Sequence, residues 1–180
     1  LTTRVSPDGA LLTTTGDTSA ATALAARYGA IVWAHYPTLW PETIRGLLVH
    51  SARWKQPMLD ELPQAQRHSR LRCYGHGVPD LQLALRSMHN AATLIVEETL
   101  QPYEEVDSDV KTKDMHLHRL PWPTQVLEDL GEIDVRMRIT LSYFIEPSPG
   151  RRGWTRKHRY QSHGLRFDVK RPLDKDDEEF

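Results

Sequence analysis

The residues best suited to chemistry lie in Gly16-Asp17-Thr18-Ser19-Ala20-Ala21-Thr22-Ala23. A serine stands at the entrance to an Ala-rich stretch, just after a glycine turn. The first backbone N–H groups of a helix have no intrahelical acceptor and carry partial positive charge. They can hold the negative oxygen that forms when a serine attacks an acyl carbon. Ser19 is therefore a candidate nucleophile, with Thr18 and Gly16 shaping the turn that presents it. The same spacing also describes a plain helix start in which Ser19 or Thr18 is only the N-cap.

Other groups compete for attention. His116-Leu117-His118 puts two imidazoles on one face of an extended segment, a spacing that suits metal ligation. No third ligand is identifiable in the sequence, so surface histidines are the expectation. Arg151-Arg152-Gly153-Trp154-Thr155-Arg156-Lys157-His158-Arg159-Tyr160 mixes cations with aromatics, which can contact phosphates and stack on bases. Pro147, Pro149, Gly150 and Gly153 mark it instead as a solvated loop, and nucleic acid is not the expected partner. Trp33, Trp40, Trp54 and Trp122 adjoin apolar residues or proline and read as packing. Cys73 reads as inert, since nothing nearby lowers its pKa.

Positioning Ser19 is the task of the elements around it. From 18 to 36 the sequence is Ala-dense, with Arg27 the one charge before His35. Alanine favours helix, and a helix apolar on nearly all sides is expected to be buried. Pro37 ends it. Pro41 suits the first position of a second helix, and Glu42 suits its positive end. Ile44, Leu47, Leu48 and Ser51 then share one face, to about Ala52 or Arg53. Residues 55–72 read as loop with a short helix near Pro57. Tyr74-Gly75-His76-Gly77-Val78-Pro79-Asp80 is a turn feeding a short helix that carries Leu81, Leu83, Ala84, Leu85 and Met88.

Beyond about residue 90 the pattern changes. Thr93-Leu94-Ile95-Val96-Glu97-Glu98 is a β-branched run. Segment 115–120 alternates. So does 133–145, with Ile133, Val135, Met137, Ile139, Leu141 and Tyr143 on one side. Segment 164–169 repeats that period, and a short helix is expected near 124–130. Strands between Pro/Gly loops suggest a small antiparallel sandwich. The tail 174–179 is acidic and is expected to be mobile.

The 180 residues carry 23 Lys and Arg against 24 Asp and Glu, a net charge of −1. That balance argues against a surface built wholly for nucleic acid or anionic lipid. No apolar run approaches the ~18 residues of a membrane span. With one cysteine, no internal disulfide or cysteine-rich metal cluster can form. The compartment stays open, although a single cysteine is compatible with the cytoplasm. Leu at position 1, with no signal peptide after it, suggests an excised piece of a longer protein.

Thr18-Ser19-Ala20-Ala21 opening an Ala-rich helix resembles the nucleophile motif of the subtilisin-like serine peptidases, Gly-Thr-Ser-x-Ala-x-Pro. The order that follows is also similar. Tyr36-Pro37-Thr38-Leu39-Trp40-Pro41-Glu42 leads into a second helix ending at Ser51-Ala52, and Gly75-His76-Gly77 precedes a closing short helix. The resemblance covers residues 10–90, about half of the chain. Two departures stand out. Asp17 lies between Gly16 and Thr18, and Ala23 replaces the proline. In the family, the triad Asp and His and the oxyanion Asn all precede the serine. Only 18 residues precede Ser19 here, and no Asp or His among them has a catalytic context.

The resemblance implies an α+β fragment. Residues 1–90 would be the C-terminal helical part of a subtilisin-like α/β catalytic domain, and 91–180 a jelly-roll-like β-sandwich. It implies a serine endopeptidase that acts on peptide or protein substrates through Ser19, needs no cofactor, and is inactive without the upstream part of the same domain. Calcium is common in the family, but its ligands do not map onto this sequence. The alternative is a non-catalytic protein-interaction module that uses the sandwich. Oligomeric state stays open.

Overall fold

The structure, a computed structural model, describes residues 9–14, 16–87, 93–113, 116, 118–119, 123–145 and 164–169. The chain divides into two compact units, Leu1–Ile95 and Val96–Phe180. The first is helical. Helix α1 spans Thr18–His35, α2 Pro41–Ser51, α3 Gln56–Glu61, α4 Arg67–Tyr74 and α5 Leu81–Arg86, with a 3-10 turn at Gln64–Gln66. Pro37 follows Tyr36, the C-cap of α1, and Pro41 is the first residue of α2. Both ends sit where proline chemistry places them. Helix α4 was not expected. Its sequence Arg-His-Ser-Arg-Leu-Arg-Cys-Tyr has no apolar period to announce it.

The core gathers Val32 from the end of α1, Tyr36 and Leu39 from the connecting turn, Ile44 and Leu47 from α2, and Ala84 from α5. Leu48, Leu81, Leu85 and Ile95 pack around it. The Tyr36 hydroxyl donates to the Leu85 carbonyl, so the one polar atom on that ring is satisfied as it is buried. Helix α5 is returned to α2 by a clasp. Arg53 and Val78 exchange backbone hydrogen bonds of 3.0 and 2.9 Å. Gly77 makes this approach possible. Its φ is +98°, and a Cβ there would lie 2.4 Å from the Arg53 carbonyl oxygen.

Burial of α1 differs from the expectation. Residues 21–27 are all exposed, Leu24 at 54%, and Val32 is the one fully buried residue of the helix. The reason is geometric. Eighteen residues of helix run about 27 Å, whereas the 11 residues of α2 run about 17 Å. Partner side chains meet the later part of α1. A Cβ at Gly29 would lie 3.9 Å from Ile44 Cγ2 and 4.0 Å from Leu48 Cδ1. Nothing comparable covers the earlier turns among the described residues. Trp33 and Trp40, expected to pack, are also exposed. Trp54 does pack. The Arg70 guanidinium stacks 4.6 Å from its ring centroid, and its indole N–H donates to Gly75 O.

The second unit contains a hairpin, β1 Tyr103–Val106 and β2 Asp109–Thr112, and helix α6 Thr124–Leu130. The strands pair antiparallel from Tyr103↔Thr112 to Val106↔Asp109, with Glu104 opposite Lys111. Asp107 and Ser108 both have positive φ, the two-residue turn whose twist suits a hairpin. Helix α6 lies where the sequence placed it. Among the described residues the architecture is helices plus a two-stranded antiparallel sheet, which is α+β, and a β-sandwich is not shown. Segments 93–98, 133–145 and 164–169, expected as strands, are not among the strands of the described residues. Ile133, Val135, Met137, Ile139 and Leu141, expected to share a buried face, are exposed. Half of segment 115–120, residues 115, 117 and 120, lies outside the described residues. The basic stretch 151–160, Trp122, Met88 and the acidic tail lie wholly outside them.

Candidate nucleophile at the start of the first helix

Ser19 is the second residue of α1, and its side chain is exposed. Neither its hydroxyl nor its N–H has a hydrogen-bond partner among the described residues. Neither Ser19 nor Thr18 is the cap. Asp17 holds that position with extended backbone, and its Oδ1 accepts the Ala20 N–H at 2.9 Å. The Thr18 carbonyl accepts from the Thr22 hydroxyl at 2.8 Å, one turn on. Gly16 is exposed and has no positive φ, and a Cβ there would meet nothing. The turn before the serine therefore does not depend on glycine. Asp17 does the shaping, and a carboxylate is well placed at the positive end of a helix.

The consequence for chemistry is mixed. The hydroxyl is free to attack, and its own N–H is free to receive an oxyanion. The neighbouring donor is already taken by an anion, which raises the cost of forming a second negative oxygen nearby. No imidazole is hydrogen-bonded to the Ser19 hydroxyl among the described residues. The His35 ring packs edge-on to Tyr36 at the other end of α1, with centroids 4.8 Å apart. His50 adjoins Ser51 in sequence, but the Ser51 hydroxyl is buried and committed. It donates to Leu48 O at 2.9 Å and accepts the Asp80 N–H at 3.2 Å. The Asp80 carboxylate in turn caps α5 through the Leu83 N–H at 3.0 Å. Ser51 thus links the end of α2 to the start of α5 and has a structural duty.

Residues 1–77 match the subtilase family. The match takes in α1 to α4 and ends at the glycine that permits the Arg53–Val78 clasp. The match supports a serine-peptidase family for residues 1–77, a family that acts on peptide or protein substrates. No curated protein and no solved structure matches the chain.

His116 and His118, outside this segment, are exposed, as expected of surface histidines. They do have a partner that sequence spacing could not reveal. Glu98 Oε1 lies 3.2 Å from His116 Nδ1, and Glu98 Oε2 lies 3.1 Å from His118 Nε2. The Glu98 signal was missed because it lies 18 residues upstream of His116. No group of three or more His, Cys, Asp or Glu among the described residues is arranged to hold a metal ion. Cys73 is free and exposed. No helix among the described residues is long and apolar enough to cross a membrane.

Proposed function

We propose that this chain carries the nucleophile segment of a subtilisin-like serine endopeptidase, with Ser19 as the nucleophile. The observation that carries the reading is the exposed, uncommitted Ser19 hydroxyl on the first turn of α1, inside the subtilase-matching residues. Ser19 Oγ attacks the scissile carbonyl carbon, and its proton passes to an imidazole. The carbonyl oxygen becomes an oxyanion received by the Ser19 N–H. Collapse releases the amine, protonated by the imidazolium, and leaves an acyl-enzyme, which water then hydrolyses. The imidazole and its carboxylate belong to the upstream part of the same catalytic domain, which also supplies the apolar cover for the exposed turns of α1. No cofactor enters this chemistry. Residues 1–90 are then the end of the catalytic domain, and 91–180 an appended β-sandwich.

The test uses this chain alone and the chain joined to an upstream subtilase portion bearing the Asp and His. Alone, it leaves casein intact and takes no rapid stoichiometric label from a fluorophosphonate. Joined, it labels on Ser19 and cleaves casein, and Ser19→Ala abolishes both. Undiminished labelling of the Ser19→Ala protein would overturn the assignment.

A second reading, a protein-interaction module, draws on the exposed apolar row Ile133, Val135, Met137, Ile139 and Leu141. Rows of this kind favour a partner surface when they stay contiguous. A sandwich that buries the row internally would remove the ground for it. Protection of these amides from hydrogen exchange in the isolated chain separates the two.

A further inference from the structure

No further inference is drawn: the strongest candidate, the exposed side-chain cluster of Glu98, His116 and His118 in the C-terminal unit, is satisfied by its own two imidazole–carboxylate contacts, and among the described residues no group of three or more His, Cys, Asp or Glu is arranged to hold a metal ion.

Discussion

The two ends of α1 are alike in composition and unlike in surroundings. The later turns place Val32 in a core with Ile44, Leu47 and Ala84, and Tyr36 just past the helix joins them. The earlier turns expose Ala21, Leu24 and Ala25, and carry Ser19 at their tip. Apolar sequence therefore drives burial only where another element arrives to accept it. The packed end holds the unit together. The bare end presents a hydroxyl beside a carboxylate, and its apolar surface is exposed.

Substitutions at the packed end should cost most. Gly77→Ala forces a Cβ against the Arg53 carbonyl at an unfavourable φ. A loss of about 4 kcal/mol is expected from strain and overpacking together, read by urea denaturation. Leu47→Ala removes a side chain only 5% exposed and should cost about 3 kcal/mol. At the bare end, Asp17→Ala should cost about 1 kcal/mol by losing the cap to Ala20, while Asp17→Asn keeps the cap and most of the stability. Equal losses for both variants would show that charge matters there more than the hydrogen bond. Leu24→Ala should change stability by less than about 0.5 kcal/mol. A loss as large as that of Leu47→Ala would mean the earlier turns are covered in solution, and the contrast between the ends would fail.

The smallest effect concerns α3 and α4. The Tyr74 hydroxyl donates to the Glu61 carboxylate, and its pKa is raised above the ordinary 10.0. The hydrogen bond to Glu61 is the main cause, followed by desolvation and by the negative charges of Glu61 and Cys73. A raised folded-state pKa favours the protonated phenol. Its contribution is complete below pH 10.0 and is lost as pH climbs through the raised value. Ultraviolet titration should show Glu61→Gln returning Tyr74 toward the ordinary value. An unchanged curve would remove this contact from the account.

Much of the helical unit could be read from residue types. Ala density and Pro37 bracket α1, and Pro41 with the spacing of Ile44, Leu47 and Leu48 gives α2. Helix α4 escaped because its buried residue is Arg70, whose Nε donates to Leu62 O at 2.6 Å and whose cation lies over Trp54. Those are tertiary partners, and no local period encodes them. The β1–β2 hairpin escaped because Asp107-Ser108 lacks the glycine that usually announces such a turn. In 133–145 the alternation was legible, but pairing depends on segments elsewhere in the chain. At the site, the place of Ser19 on a helix start was legible. The assignment of the cap to Asp17 needed coordinates, because Asp, Thr and Ser in succession are all able caps.

The paired amides of Arg53 and Val78 form a neck, and residues 54–77 leave and re-enter the helical unit through it. The two hydrogen bonds hold the ends of this excursion together. Lengthening it is cheap, since doubling a loop costs only about 0.6 kcal/mol of closure entropy. Residues around Pro63 therefore offer a place to splice in a tag or reporter while the helices on either side of the neck keep their register.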